Sequence, residues 1–478
     1  MNRRAILLTA LMLGGCNLSP AYRQPEVALP PSYAAFGQPF DNGARKLVSQ
    51  VSWQEFFIDE RLKALIDLSV ERNRDLAQSM ARVAQARAQY RVDASQRLPA
   101  IELNGGATRA RQPLSALGAA GAAGGTDQAA AAGVTGIEFS QYTANVGVSA
   151  FELDLWGRVR NLAEASRAAY LASEQGARAY RLSLIAQVAA TYYDLLGGEE
   201  RLGLARRTLE GRKEGVRIAQ IRLDAGVTST VDYDQSVLLL TQAETEIAEL
   251  SRTLEQQRNF LIVLIGGPIP DDLPPPRRFS FQEQIHPVEP ELPSTLLTIR
   301  PDILEAEYNL RAANANIGAA RAAFFPSISL TGVFGFASQA LESLFDKGNR
   351  SWSYGGSVSL PIFDWGRRSG NLAVSKARAD ELTAAYQRTV QGAFQEVADA
   401  LVARRRLGEQ VLAVTRTVEA QRRLATTARL RYDNGIAIYL EVLDAERNLF
   451  SAEQQLITLR ATALQNGVSL YTALGGGA

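Results

Sequence analysis

The chain has 478 residues, with 51 Lys and Arg against 50 Asp and Glu, one His and one Cys. A formal charge of +1 leaves no basic surplus for binding nucleic acid. The single Cys excludes an intramolecular disulfide, and the single His, His286, excludes a metal site built on two histidines. A composition of 46% hydrophobic and 21% charged residues indicates a folded chain. Length alone predicts about three domains of roughly 150 residues each.

The first sixteen residues have the features of a bacterial lipoprotein signal. Two Arg precede the apolar run at residues 5–13, and small residues lead to Cys16. The run is too short to span a bilayer. We therefore predict that residues 1–15 are a signal peptide and that Cys16 carries an S-diacylglycerol and an N-acyl chain, a firm anchor. Asn17, where Asp is usual for inner-membrane retention, favours the outer membrane; an ordinary signal peptide with a chance Cys is the alternative.

The sequence contains two copies of one unit, because three motifs recur at one spacing of 209 residues. The motifs are Trp-Gly-Arg at 156–158 and 365–367, the turn at 222–227 and 431–436, and an apolar-Gly-Gly end at 265–267 and 474–476. Upstream the spacing is 227 residues, as between Asp75 and Asp302. The first copy therefore contains an 18-residue insertion, which its Gly and Ala content predicts to be a loop lying mainly in residues 105–136.

These repeats predict the organisation of the chain. An extension covers residues 16–60, the first repeat 61–267, a linker 268–292 and the second repeat 293–478. In both repeats, 66 residues without proline separate the Trp of the first motif from the Arg of the turn. Apolar residues there recur at spacings of three and four, which predicts coiled-coil-like helices of roughly 100 Å. Gly or Asn in the turns supplies the left-handed conformation that ends a helix.

Four segments alternate between apolar and small polar residues, which predicts strands at about 99–110, 141–152, 326–337 and 351–361. The polar faces carry Ser, Thr, Asn and Gly rather than Lys and Glu, and Trp352 and Tyr354 suit an aromatic girdle. A soluble sheet with one wet face is the alternative interpretation. In a membrane four strands cannot close a barrel, so several chains would have to combine. Two, three or four chains would give 8, 12 or 16 strands, and this arithmetic leaves the choice open.

The lipoprotein signal, the duplication and two motifs of the second repeat carry a family resemblance. Residues 431–435 read Arg-Tyr-Asp-Asn-Gly, and residues 440–445 read Leu-Glu-Val-Leu-Asp-Ala. The chain resembles the TolC-type outer-membrane efflux factors, and more narrowly their lipoprotein branch, which works with resistance-nodulation-division pumps. Residues 53–76 are similar to the opening helix of that branch.

The resemblance implies a fold that is mainly α with a β-barrel membrane part. Three internally duplicated chains would form a 12-stranded outer-membrane β-barrel that continues into a 12-helix periplasmic α-barrel. Residues 17–70, 268–295 and the C-terminus would form a mixed region around the helices. The implied function is a passive conduit of a tripartite efflux system in a Gram-negative outer membrane. It would carry small molecules such as drugs from an inner-membrane resistance-nodulation-division pump and a periplasmic adaptor.

The residues past the helical turns are the candidate aperture. Glu441 and Asp444 share a helix face, so around a three-fold axis they would form a ring of carboxylates that attracts cations and raises the pKa of its members. Ordinary exposed helix charges are the alternative interpretation. Leu440 could form an apolar constriction beside them. The resemblance places the closed aperture here, with Arg431 and Tyr432 in inter-helix contacts that hold it shut. Asp232 and Asp234 occupy the comparable stretch of the first repeat.

The resemblance also implies that the turns are exposed tips that meet the hairpins of the adaptor. The residues assigned to this contact are Arg222, Asp224, Gly226, Val227, Asn434, Gly435 and Ile436. One position departs from the family pattern, since some members carry Arg where this chain has Ala437. The family's lock is therefore expected to be partly absent or to be made by other residues.

The sequence carries no motif that indicates catalysis, such as a Walker loop, a nucleophile elbow or a two-His metal site. We therefore predict a protein that is not an enzyme and has no metal or cofactor other than the lipid on Cys16. Two other functions stay open at this point. They are the exit duct of a type I protein-secretion system and a coiled-coil lipoprotein that bridges the envelope without a pore.

Overall fold

The computed structural model describes residues 17–30, 33, 51–113, 136–277, 279 and 295–476. The predicted signal peptide with Cys16, much of the extension and linker, and the centre of the predicted insertion lie outside these residues.

Two of the helices are far longer than the others and occupy equivalent places in the two repeats. The helices are α1 Trp53–Phe56, α2 Glu60–Arg72, α3 Arg74–Ser95, α4 Arg158–Asp224, α5 Thr230–Ile265, α6 Leu296–Ile299, α7 Pro301–Ala322, α8 Arg367–Asp433 and α9 Tyr439–Ala473. Helices α4 and α8 have 67 residues each and both begin and end at the 209-residue spacing. Among the described residues, no helix combines the length and the apolar character needed to cross a membrane.

The four strands form one antiparallel sheet in the order β1-β2-β3-β4. They are β1 Glu102–Pro113, β2 Gly136–Glu152, β3 Ser327–Ser338 and β4 Arg350–Ser359. The register places Val146 opposite Phe334 and Phe334 opposite Trp352, so apolar side chains meet across three strands. Strands β1 and β4 are the two edges of this sheet.

The first strand, predicted at about 99–110, runs three residues further into the segment predicted to be mainly loop. Residues 105–113 belong to β1, where Gly105 pairs with Ala144 and Pro113 with Gly136. Small residues gave this segment the composition of a loop, but ladder hydrogen bonds come from the backbone and do not require large side chains.

The chain divides into two compact units. The first contains the sheet and the residues around it, 86–170 and 309–382, together with residues 17–23 of the described chain. In this unit Arg321 donates to the carbonyl oxygen of Leu18 at 3.2 Å, and Asn314 donates to that of Pro20 at 2.8 Å. These bonds fix the first described residues on helix α7.

The second unit contains residues 24–85, 171–308 and 383–478 as far as they are described. Its core includes Phe56, whose ring stacks on that of Tyr471 at 4.1 Å between centroids. The Tyr471 hydroxyl donates to the Val51 carbonyl at 3.0 Å, and the Tyr192 hydroxyl donates to Asp59 at 2.7 Å. The hydroxyls of Tyr471 and Tyr192 thus each have an acceptor in this core.

The two repeats close in the same way inside this unit. Asn73 donates to the carbonyl oxygen of Leu264 at 2.9 Å, and Arg300, its counterpart in the second repeat, donates to that of Ala473 at 2.8 Å. The residue that precedes α3 therefore donates to a carbonyl group near the end of α5, and the residue that precedes α7 donates to one at the end of α9. Arg300 is buried and also pairs with Asp302 at 2.7 Å and with Glu396 at 2.8 Å. We call the Asn73–Leu264 and Arg300–Ala473 contacts the closing nodes of the two repeats.

Candidate functional site

The turns after α4 and α8 share one backbone geometry. Gly226 has a φ of 71° and Gly435 a φ of 72°, the left-handed conformation that a side chain disfavours. The amide of Gly226 donates to the Leu223 carbonyl at 2.9 Å, and that of Gly435 donates to the Tyr432 carbonyl at the same distance. Glycine, and not the neighbouring Asn434, therefore ends each helix. We call residues 222–234 the first tip and residues 431–444 the second tip; both lie in the second unit.

The second tip contains an ion pair that joins two helices. Arg431, in the last turn of α8, pairs with Glu441, in the first turn of α9, at 3.1 Å. Asp444 pairs with Arg447 on the same helix at 3.0 Å. Both carboxylates that we predicted to form an acidic ring thus have an arginine partner within the chain. The negative charge that they offer to a passing cation is partly compensated by these partners.

Tyr432 links the two repeats. Arg222 of helix α4 donates to the Tyr432 hydroxyl, and its guanidinium carbon lies 5.2 Å from the centre of the Tyr432 ring. The Tyr432 ring also lies 5.0 Å from that of Tyr439, the first residue of α9. A charge-assisted hydrogen bond and a cation–π contact therefore act on one side chain. Arg431 and Tyr432 thus each contact a residue of another helix.

Arg222, which the sequence assigned to the adaptor contact, also has a partner within the chain. Its side chain is half-buried and its guanidinium group is engaged by Tyr432. Sequence reasoning could not detect this contact, because Arg222 and Tyr432 are 210 residues apart and belong to different repeats.

The acidic residues of the first tip serve its own local structure. The Thr228 hydroxyl donates to the Asp232 carboxylate at 2.5 Å, and the Asp232 amide donates to Ser229, the N-cap of α5, at 3.4 Å. Asp224 accepts from Gln220 at 2.7 Å. Asp234 is exposed. These acidic residues therefore differ from Glu441 of the second tip, which pairs with a residue of another helix.

Apolar side chains are exposed at both tips. Val227 is 63% exposed, Ile436 is 69% exposed and Leu440 is 37% exposed. Asn434 donates to the Leu430 carbonyl at 2.7 Å and so contributes to the turn itself. Val227 and Ile436 occupy equivalent positions, so both turns expose an apolar group at the same place.

The sequence did not single out Tyr439, although it packs on Tyr432. Burial raises the pKa of the Tyr439 hydroxyl to about 12. Over the described ranges, no group of three His, Cys, Asp or Glu side chains could hold a metal ion.

Comparisons with known proteins identify the family. The family model for "Outer membrane efflux protein" matches residues 65–267 and 292–476. The chain is 38% identical over 474 residues to outer membrane protein OprJ of Pseudomonas aeruginosa, which covers 98% of this chain and 95% of OprJ. It is 39% identical over 476 residues to the toluene efflux pump outer membrane protein TtgC of Pseudomonas putida, covering 99% of this chain and 95% of TtgC.

A solved structure gives the same result for the fold. The open state of the Neisseria gonorrhoeae MtrE outer membrane channel matches with a TM-score of 0.85 and 36% identity, covering 97% of this chain and 98% of MtrE. These matches confirm the predicted fold class, that of trimeric channels with an outer-membrane β-barrel and a helical barrel, and the predicted outer-membrane location. The relatives carry the names of efflux and channel proteins rather than of enzymes. The chain belongs to the outer membrane efflux protein family.

Proposed function

We propose that three copies of this chain form the passive outer-membrane conduit of a tripartite efflux system. The observation that carries the proposal is the four-stranded sheet, whose edge strands β1 and β4 have no further strand beside them in the described chain. An open sheet edge is not tolerated in hydrocarbon, so the edges of neighbouring copies have to pair. Three copies with four strands each give a barrel of 12 strands.

The outer surface of the sheet supports this assignment. Trp352 and Tyr354 are 67% and 82% exposed and stack on each other with 5.6 Å between ring centroids. Val358, on the same strand, is also exposed. Apolar and aromatic side chains on a sheet that faces lipid are stabilised there, whereas in water they would promote aggregation.

The second tip is the proposed gate. It contains Arg431, Tyr432, Leu440, Glu441 and Asp444. The contacts of Tyr432 and Arg431 would have to change for the tip to move. Asp232 and Asp234 would border the same opening from the first tip.

The exposed turns would bind a periplasmic adaptor that connects to an inner-membrane resistance-nodulation-division pump. The groups that would meet the adaptor are Val227 and Ile436, with Asp224, Gly226, Asn434 and Gly435 around them. Opening then requires that the adaptor bind the open arrangement more tightly than the closed one.

Cys16 is the proposed lipid attachment site. It directly precedes the residues that Asn314 and Arg321 hold on helix α7. The acyl chains would add an anchor in the outer membrane beside the strands.

The cargo would be small organic compounds. Relatives at 38–39% identity are named for efflux of antibiotics, toluene and solvents. In this proposal the pump selects the compound, and the conduit only has to pass it.

Single-channel conductance in a planar bilayer tests the proposal. Wild type is compared with Glu441→Ala/Asp444→Ala and with Glu409→Ala, which removes an exposed acid paired with Arg406 on α8. We expect a small cation-selective conductance in wild type, a loss of selectivity in the double variant and no change in the Glu409 variant. A folded, oligomeric wild-type protein that does not conduct would contradict the conduit and favour an envelope-bridging role.

A further inference from the structure

Helix α4 has a notch at Gly215 that the hydroxyl of Tyr439 fills. A Cβ atom added to Gly215 would lie 2.6 Å from the Tyr439 hydroxyl oxygen and 3.8 Å from the ring carbon that carries it. Real Cβ atoms essentially never come within 3.0 Å of another heavy atom in this way. Tyr439 can therefore take this position only because residue 215 has no side chain.

The notch is one of two contacts between the second tip and a single face of α4. Gly215 and Arg222 are seven residues apart, two turns of the helix, so they lie on the same side of it. Tyr439 occupies the notch at Gly215, and Tyr432 receives the hydrogen bond from Arg222. The two tyrosine rings lie 5.0 Å apart. The end of α8 and the start of α9 are thus attached together to a helix of the first repeat.

The first tip has no such notch. The residue that corresponds to Gly215 at the 209-residue spacing is Leu424, and the residue that corresponds to Tyr439 is Thr230. Leu424 is 57% exposed. The contact therefore arose in only one of the two equivalent places, the one that leads directly to Leu440 and Glu441.

We propose that Gly215 is a positioning residue of the gate. Its notch holds Tyr439, and with it the start of α9, in the arrangement that keeps Leu440 and Glu441 in the closed aperture. This inference rests on the proposed conduit and gate, and it adds a restraint that lies on a glycine of the other repeat. An adaptor that opens the tip has to withdraw Tyr439 from the notch, so the contact contributes to the preference for the closed state.

Gly215→Ala is the variant that tests the notch. The added methyl group displaces the Tyr439 hydroxyl and with it the ring that packs on Tyr432. Alanine favours a helix more than glycine does, so the substitution does not weaken α4 itself. Gly211→Ala is the matched control, because a Cβ at this position, one turn earlier, meets no atom within 4 Å.

A second substitution provides a rescue. In Gly215→Ala/Tyr439→Phe the hydroxyl is gone, and the new Cβ faces a ring carbon at 3.8 Å, an ordinary van der Waals contact. Tyr439→Phe alone completes the double-mutant cycle. A general effect of alanine on the helix would not be reversed by phenylalanine, whereas a clash in the notch would be.

Entry of a bulky polar antibiotic, vancomycin, and conductance in a planar bilayer are measured for all five proteins. Vancomycin sensitivity and conductance should rise about tenfold in Gly215→Ala, the effect of losing about 1.4 kcal/mol of preference for the closed state. Gly211→Ala should match wild type. Gly215→Ala/Tyr439→Phe should recover most of the change, and Tyr439→Phe alone should leak less than Gly215→Ala. The amount of heat-resistant oligomer in the outer membrane shows that each variant is folded.

Either of two results would contradict the proposed role of Gly215. One is wild-type leakage in Gly215→Ala, and the other is leakage in Gly215→Ala that Tyr439→Phe does not reverse. A wild-type protein that does not conduct would refute the conduit instead. In that case the role of Gly215 is tested by the rate at which trypsin cleaves the folded protein after Arg431. Cleavage should be faster in Gly215→Ala and restored in Gly215→Ala/Tyr439→Phe; equal rates would contradict the notch.

Discussion

The two tips have the same backbone and different side-chain contacts. Each ends its long helix on a left-handed glycine, Gly226 or Gly435, and in each the next amide donates to a carbonyl of the last turn, at 3.0 Å from Val227 to Arg222 and at 2.8 Å from Ile436 to Arg431. Beyond the turn the two tips diverge. The first is closed by its own Thr228, Ser229 and Asp232.

The second tip lacks such a side-chain cap, and the Arg431–Glu441 ion pair joins its two helices instead. Ile438 occupies the position of Ser229 and provides no side-chain cap for α9. Two other side chains of the second tip contact helix α4: Tyr432 contacts Arg222, and Tyr439 contacts Gly215. Duplication thus preserved the turn, which is fixed by glycine, while divergence of the side chains attached the second tip to Arg222 and Gly215 of α4. A tip held by distant contacts is the one that can be released, which suits a gate.

The largest effect is expected at the closing node of the second repeat. Arg300→Ala removes a buried guanidinium that serves Ala473, Asp302 and Glu396, so the free energy of unfolding should fall by about 3 kcal/mol. Asn73→Ala, at the equivalent node, removes a neutral group and should cost about 1 to 2 kcal/mol. Denaturant unfolding of the two purified variants measures the difference. Equal losses would mean that the nodes are equivalent in energy as well as in position.

The next largest effect should differ between Arg222 and Arg431, which occupy equivalent positions in the two repeats. Arg222→Ala removes a charge-assisted hydrogen bond and a cation–π contact to Tyr432, worth about 2 kcal/mol. Arg431→Ala removes an ion pair whose side chains are 49% and 43% exposed, worth less than about 1 kcal/mol. We therefore expect more antibiotic leakage from Arg222→Ala than from Arg431→Ala. Greater leakage from Arg431→Ala would indicate that the Arg431–Glu441 pair, and not the Arg222–Tyr432 contact, is the main restraint on the second tip.

This contrast also shows what the sequence could reveal. The repeat spacing and the lack of proline predicted α4 and α8, because such periodicity is local and helices follow it. The sequence also brought attention to Arg431, Tyr432 and Glu441, which the structure places together. It did not reveal that Arg222 contacts Tyr432. Such contacts depend on how helices of different repeats face each other, and no spacing within one helix encodes that.

One feature of the sequence is consistent with the notch but does not predict it. Helix α4 carries Gly211 and Gly215 four residues apart, while the second repeat has Leu424 in place of Gly215. Small residues at this spacing allow another group to approach a helix closely, but many glycines in the chain have no such neighbour. The first strand was predicted to end at about residue 110 rather than at Pro113 for a related reason, since composition does not report strand pairing.

A smaller effect should follow from giving the second tip the cap of the first. Ile438 already has the extended backbone of an N-cap residue, with φ −79° and ψ 155°, close to the −91° and 160° of Ser229. Ile438→Ser should therefore stabilise the start of α9 by about 1 kcal/mol, and Ser229→Ala should destabilise α5 by a similar amount. Hydrogen exchange of the amides at each helix start measures both. No added protection in Ile438→Ser would indicate that contacts with α4, rather than the missing cap, set the order of the second tip.

The smallest effect concerns a carboxyl group that only the second repeat has. Burial, and then the nearby Asp302, raise the pKa of Glu305, whose counterpart at the 227-residue spacing is the exposed Gln78. Because the folded state holds this proton more tightly than the unfolded state, Glu305 contributes stability at pH values below its unfolded pKa. That contribution is lost as the pH rises through the raised folded pKa.

Glu305→Gln should therefore leave the acid-side stability unchanged and raise the unfolding free energy at pH 7 by less than about 1 kcal/mol. Denaturant unfolding of wild type and variant from pH 4 to pH 8 provides the test, and Gln78→Glu is the matched control, since a carboxyl at that exposed position should add no such slope. A variant with the pH dependence of wild type would show that Glu305 is as well solvated as its counterpart, and that the two repeats do not differ in electrostatics at this site.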